Sequence, residues 1–356
     1  MADIVTPYSV TLGATDYPAK YAGLLAYLEQ YLNRLELLPP GSRNKIINGK
    51  MEIAQRGTSF AAVASGAYTL DRFAWSNTSA GVVTITQQAD APSSNEFQNS
   101  LRIAVTTADT SIAAGDLARV VQYIEGFNVR DLIGRTFTLS FWVRSSKTGV
   151  HCAAFLNNVD RSYVVEYTVN AANAWEFKTV TVAGGLITAG TWNWTNGVGL
   201  TVSWSLAAGS TFQTTAGSWQ TGAFTATSSQ VNCLDSNTNI FAITGVQLEV
   251  GSVATPFEHR PFGAELALAQ RYYETGDAVV TVKARESDGV RRTHVYYRVT
   301  KRASPTVTLS GATADGGTAA PTVGQATVEQ FRLDANAGGT TTAIPSISGW
   351  TSAIEL

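Results

Sequence analysis

The sequence predicts a mostly β protein: an N-terminal α-helix, an antiparallel β-sandwich of jelly-roll type, and a small C-terminal β domain. Three observations carry this. From residue 45 the apolar residues recur with period two; TFTLSFWVR sets Phe137, Leu139, Phe141 and Val143 on one face and Thr138, Ser140 and Trp142 on the other. Charged residues make up only 15% of the chain, and Gly, Ser, Thr and Asn separate the apolar runs, as in all-β surface proteins. The one convincing helical period lies in YPAKYAGLLAYLEQYLNRLELL.

Residues 1–15 read as an irregular arm. Thr15 or Asp16 caps the helix, Pro18 fits its first turn, and Pro39-Pro40-Gly41 ends it. Its apolar positions Tyr21, Leu24, Leu28, Tyr31, Leu35 and Leu38 are spaced 3,4,3,4,3, a heptad seam suited to a short trimeric bundle. Fewer than three heptads are marginal alone, so a bundle needs help from the rest of the chain. Residues 1–43 form this oligomerisation and attachment segment. GVVTITQ, SLRIAVTT, SYVVEYTV, WEFKTVTV, VGLTVSWSL and IFAITGVQLEV bring the count to about ten short strands, a sandwich over 44–262 with one wetter face on each sheet. GAELALAQRYYE reads as a short helix opening a C-terminal unit over 263–356, with further strands at AVVTVKAR, THVYYRV, PTVTLS and ATVEQFRL.

Several function classes fall away. The net charge is −2 and no Lys/Arg run exceeds two residues, which argues against electrostatically driven nucleic-acid binding. No apolar run approaches the ~18 residues of a membrane helix, and MADIVTPYSV lacks the features of a secretory signal. Cys152 and Cys233 are expected as buried free thiols, and they share no zinc-ligand spacing with His151, His259 and His294.

Two groups of residues invite a functional reading. Trp192, Asn193 and Trp194 lie in the polar loop GTWNWTNG, and Trp219 lies in another, TTAGSWQTG. Exposed aromatic rings stack on the flat C–H faces of sugars while amides bond their hydroxyls, so these residues are glycan-binding candidates; packing under the loop and subunit contact are the competing roles. Trp142, pointing away from the Phe137–Val143 face, is a further candidate. Trp204 reads as core, and Trp175, at the head of a strand, is compatible with it. The second group is QLEVGSVATPFEHRP, where Glu249, Glu258, His259 and Arg260 gather. It reads either as carboxylates for glycoside hydrolysis or as a structural seam, with Glu249 salt-bridged to Arg260 or Arg72. Asp71 and Arg72 are expected to pair with each other.

NKIINGKMEIAQRG, RTFTLSFWVRSS and WEFKTVTV resemble strands of carbohydrate-binding jelly rolls. IINGKMEIAQRGTSF, YTLDRFAWS, LSFWVRSSKTG, FAITGVQLEVGSVATPFEHRPFGAELALAQRYYE and KRASPTV together resemble bacteriophage tail-fibre or receptor-binding proteins over roughly 44–310, and WTSAIEL resembles their closing strand. The resemblance implies a homotrimer in the virion, made in the host cytoplasm, joined to other tail proteins through its N-terminus and adhering to host surface polysaccharide. The alternatives are a structural fibre or decoration protein without a ligand, and a polysaccharide depolymerase. Many such jelly rolls place paired Asp residues before the last strand to help hold a structural Ca²⁺; here Ile243-Thr244-Gly245 stand there, leaving Glu52 and Glu249 as the possible oxygen ligands. No other cofactor is implied.

Overall fold

The period-two pattern resolves into twelve strands between residues 59 and 250: β1 (Ser59–Phe60), β2 (Phe73–Asn77), β3 (Val82–Gln88), β4 (Ser100–Thr107), β5 (Leu117–Glu125), β6 (Phe137–Ser145), β7 (Gly149–Leu156), β8 (Arg161–Val169), β9 (Glu176–Val182), β10 (Val198–Ala208), β11 (Trp219–Thr221) and β12 (Ile240–Val250). The structure is a computed structural model that describes residues 43–92, 96–277, 290–313, 320–336 and 346–356. The predicted N-terminal helix with its seam Tyr21, Leu24, Leu28, Tyr31, Leu35 and Leu38 lies outside the described residues, as does the expected strand AVVTVKAR.

The strands form two antiparallel six-stranded sheets. The front sheet has the order β1-β3-β4-β12-β6-β9 and the back sheet β11-β8-β7-β10-β5-β2. Their inner faces meet as the alternation demands. Phe137 packs edge-on to Phe155 at 5.1 Å, and Phe141 edge-on to Trp204 at 5.8 Å, each pair joining front to back. Phe137, Leu139, Phe141 and Val143 are all completely buried, as is Trp204.

The back sheet departs from the expected wet outer face. Thr201, Ser203 and Ser205 are fully buried there. Residues 209–239 lie across this face and seal it: Phe212, Phe224 and Ala226 pack on Cys152, Ala154 and Val164, and Ser205 Oγ donates to Thr225 O at 2.8 Å. Alternation reports which side chains share a face, and it carries no information on whether a distant loop covers that face. Both cysteines are buried free thiols.

After the sandwich come helix α1 (Phe262–Gln270) and two three-stranded sheets. One has the order β13 (Tyr273–Gly276), β18 (Gly349–Ala353), β15 (Thr306–Ser310). The other has the order β14 (Val290–Tyr296), β17 (Gln330–Asn336), β16 (Thr322–Ala326). ATVEQFRL, expected as one strand, is broken between β16 and β17: Thr327 Oγ1 accepts the N–H groups of Glu329 and Gln330, each at 3.3 Å, and turns the chain. Their small core is Tyr297, Phe331, Leu333, Ile347 and Trp350. Asn44–Leu356 form one compact unit.

Two polar seams tie this unit together. In the first, residues 44–49 lock onto β12 and the strap after it. Asn44 Oδ1 accepts the N–H of Ile46 and of Leu248, and its amide donates to Val246 O. Gly49 lies so close to Val246 O that a Cβ there would sit 2.2 Å away. Arg260 occupies the centre of this seam. It donates to the carbonyls of Asn44 and Ile46 and pairs with Glu258 (3.5 Å) and Glu265 (3.2 Å). In the second seam Arg72, completely buried, stacks on Tyr272 at 3.5 Å and pairs with Glu355. Asp71 and Arg72 therefore do not pair with each other. The chain turns at Arg72, whose φ is +72°, and Asp71 instead accepts from Gln55 and faces Arg56 at 3.6 Å.

Replacing Arg260 by Met removes a 6%-exposed cation from between two carboxylates. Breaking such a pair costs about 3–5 kcal/mol, so urea denaturation of R260M is expected to show a loss of that order. An unchanged midpoint and slope would remove Arg260 from its central place.

Candidate functional site

The three loop tryptophans come together. Residues 183–197 join β9 to β10 and are pinned on both sides. On one side Asp160 Oδ1 accepts the N–H of Thr191 at 3.0 Å, and Asn157 donates to Thr191 O at 3.0 Å. Hydrogen bonds from Asn157 and from the Thr191 N–H hold the Asp160 carboxyl below its usual range. On the other side Phe127 N donates to Thr195 O at 2.9 Å, and Arg130 Nε to Trp194 O at 2.8 Å.

The pinned loop presents Trp192 and Trp194 stacked, 5.3 Å between centroids and 14° between planes. Trp192 then meets Trp219 edge-on at 5.6 Å, and Trp219 meets Tyr163, its partner across β8 and β11, at 5.4 Å. The result is one row, Trp194–Trp192–Trp219–Tyr163, at one end of the sandwich. The tryptophans are half-buried and lean on the core; Tyr163 is buried. Trp219 Nε1 donates to Gly185 O at 2.9 Å and Trp192 Nε1 to Ala189 O at 3.0 Å. Gly185 adopts φ +69°, and a Cβ there would lie 2.3 Å from Leu132 O, so this loop path requires glycine. The Trp194 indole N–H has no hydrogen bond among the described residues, which leaves a donor for a ligand.

Asn193 does something different from its neighbours. Its Oδ1 accepts from the N–H and hydroxyl of Thr195 (2.9 and 3.0 Å) and from the N–H of Gly197 (3.3 Å). It shapes the loop. Phe127, 52% exposed with Arg130 5.4 Å over its ring, joins the surroundings of Trp194. Sequence reading missed Phe127 and Arg130, from the β5–β6 connection, and Asp160, from the β7–β8 connection; no spacing in the sequence links them to the tryptophans.

Trp142 lies elsewhere, on the outer face of the front sheet. It is half-buried, in register with Phe177 and 5.4 Å from it. Trp175 is half-exposed there rather than core, and its indole donates to Asp90 Oδ1 at 3.3 Å.

The two carboxylates of QLEVGSVATPFEHRP differ: Glu258 is partly exposed and paired with Arg260, and Glu249 is enclosed. Glu249 is completely buried. Its two oxygens accept from Thr255 N (2.7 Å) and Thr255 Oγ1 (2.6 Å), and Gln247 Nε2 lies 3.0 Å away. The salt bridges drawn to Arg260 and Arg72 go to other partners, Glu258 and Glu265 for Arg260 and Glu355 for Arg72. His259 meets Glu96 at 3.0 Å on the rim. For a metal, Glu52 is engaged by Lys50 at 2.8 Å. The oxygen-rich nest of Asn44 O, Ile46 O, Glu258 and Glu265 already holds the Arg260 guanidinium. Among the described residues no three His, Cys, Asp or Glu side chains are grouped to hold a metal ion.

No protein-family model matches the chain, and no curated protein matches it. Solved structures similar to it include the enzymatically active domain of tailspike protein 4 of bacteriophage CBA120, at 18% identity over 53% of this chain, TM-score 0.31. The match spans only 21% of that tailspike chain. The carbohydrate-binding module TmCBM61, solved with beta-1,4-galactotriose, is 12% identical over 59% of this chain and 100% of its own, TM-score 0.30. The family 11 carbohydrate-binding module of a Clostridium thermocellum cellulosomal cellulase is 11% identical over 54% and 99%, TM-score 0.30. Such low identities and TM-scores leave function to be argued from this chain's own residues.

One carboxylate near Trp142 gives a pH prediction. Glu176 heads β9 and pins the 170–176 turn. Burial raises its pKa, but hydrogen bonds from Lys178 and from the N–H groups of Ala171 and Asn170 outweigh this and bring it down from 4.5 to about 2. A depressed carboxylate stabilises the fold fully above its unfolded value and loses that contribution as pH falls through the folded one. The amide resonances of Asn170 and Ala171 are expected to hold down to pH near 3 and to move only as pH approaches 2; titration centred near 4.5 would contradict the network.

Proposed function

We propose that this protein is a bacteriophage adhesin, a tail-fibre or spike subunit that grips cell-surface glycan through Trp194 and Trp192, with Trp219 as their support. The observation that carries the reading is the assembly itself: two tryptophans of the 183–197 loop and one from the short edge strand β11 form one half-exposed row instead of scattering or sinking into the core. Indole faces suit the C–H faces of a pyranose. The free Trp194 N–H, Arg130 and Asp160 supply hydrogen-bonding groups around them. The place in the virion and the trimer rest on the sequence resemblance over 44–310, the trimer also on the heptad seam, and the attachment through residues 1–43 rests on their falling outside that resemblance. Each site would be weak alone, and several copies on one particle would raise avidity through effective concentration.

A ligand-free structural role is the second reading. One observation favours it: the indole N–H groups of Trp192 and Trp219 are satisfied within their own loops. We further propose binding without cleavage. Glu249 is enclosed and hydrogen-bonded at both oxygens, so it has no access to a glycosidic bond.

A glycan array with the purified full chain tests the reading. Bound glycan is expected, and W194A should weaken it about tenfold with an unchanged melting temperature, the loss of one stacking platform. W219A should also lower the melting temperature, because Trp219 props the loop. An array blank for the wild type at high valency supports the structural role instead, and release of reducing ends from a bound polysaccharide overturns binding without cleavage.

A further inference from the structure

The outer face of the front sheet carries a strip of side chains that the loop row does not use. Strand register places Arg102, Ala242 and Arg144 side by side on β4, β12 and β6. The neighbouring row is Thr244, Trp142 and Phe177 on β12, β6 and β9. Leu101 and Ile103 are buried in the core, so alternation turns Arg102 outward. Phe177 is 47% exposed and rests on Trp142. Arg144 pairs with Asp90, which also accepts the Trp175 indole. Ala242, small and only 2% exposed, lies between the two arginine positions. Arg102 has no hydrogen bond or ion pair among the described residues.

We propose that this strip is a second binding site, separate from the tryptophan row, for an extended polysaccharide that carries carboxylates. A sugar ring stacks on Phe177 and Trp142, and a carboxylate farther along the chain pairs with Arg102. The chemistry selects this occupant. An outward-facing guanidinium without a protein partner suits an anion, and its planar fork fits a carboxylate bidentately. The adjoining rings call for a flat C–H face. Two strand spacings, roughly 10 Å, separate the β4 and β6 positions, so one linear ligand crossing the strands reaches both. A protein partner would need far more apolar area than one strongly exposed ring.

Affinity electrophoresis of the full chain in gels containing polygalacturonate, alginate, hyaluronate or polysialate tests this, with dextran as the neutral control. At least one carboxylated polymer is expected to retard the wild type, and dextran not. The retardation should weaken with added salt. R102Q and F177A should each weaken it about tenfold or more, as expected for losing a charged hydrogen bond or a stacking ring. F177Y and W194A should retain it, each variant first shown folded by its melting curve. Four carboxylated polymers without effect overturn the site, as does retardation that survives both R102Q and F177A. Retardation abolished by W194A would move the ligand to the loop row and overturn the second site while leaving the proposed adhesion intact. Self-association that F177A removes, without polymer binding, would make the strip an interface between copies.

Discussion

The Arg260 guanidinium is the constraint on which the rest of the unit depends. Two carbonyls, Asn44 O and Ile46 O, and two carboxylates, Glu258 and Glu265, converge on it. These groups come from the entry to the sandwich, the strap that leaves it and the helix that follows. Oxygen atoms so crowded repel one another unless a cation sits among them, and here the chain supplies its own. Because a guanidinium is charged at every ordinary pH, this closure does not depend on a dissociable ion. Glu265 of α1 also accepts the Asn48 N–H, so the same seam fixes where the C-terminal elements begin.

That closure decides which surfaces remain for ligands. The strap from 251 to 260 folds back over the lower half of β12 and β6, burying Gln247, Glu249, Thr138 and Ser140. On the back sheet, residues 209–239 bury the whole middle of the outer face. Among the described residues, the exposed places include Phe177 beside Trp142 on the front sheet and the 183–197 loop at one end of the sandwich. The half-exposed aromatic rings sit on these two open places. The same physics explains both positions: an indole beside a sheet or pinned loop is held rigid by the core behind it, so little side-chain entropy is lost when a ligand docks.

The sheet fold was legible because burial on one side of a strand writes itself into every second residue, as in TFTLSFWVR, and because Trp142 and Phe141 must then face opposite ways. The tryptophan row was half legible. A large aromatic in GTWNWTNG or TTAGSWQTG has little reason to be there unless something covers it, but no spacing announces that the two loops meet, since they join across a strand pair set far apart in sequence. Partners of buried charges were the least legible. Asp71 and Arg72 are neighbours in the chain, yet one positive φ sends them to Gln55 and Glu355. Thr327 broke an apparently continuous strand with a single hydroxyl. At Thr327 a short-range polar contact, worth about 1 kcal/mol, overrode a pattern read over eight residues; at Asp71 and Arg72 partners distant in the chain overrode a nearest-neighbour pairing.

The stretch QLEVGSVATPFEHRP shows why clustered ionisable residues in a sequence are weak grounds for catalysis. A general acid or base must exchange protons with a substrate, which requires an open lone pair and a path to solvent. Glu249 lacks the path, being completely buried, and Thr255 holds both its oxygens from within the same strap. Gln247 serves the strap in the same way, donating to Glu249 and accepting the Glu258 N–H at 2.8 Å. The polar residues are dense here because a strap crossing a sheet face carries backbone groups that water no longer reaches, and each needs a partner. Density of charge then marks a place where the chain must seal itself. The groups left for recognition are those whose hydrogen-bonding capacity the fold has not used, such as the Trp194 indole and the Arg102 guanidinium.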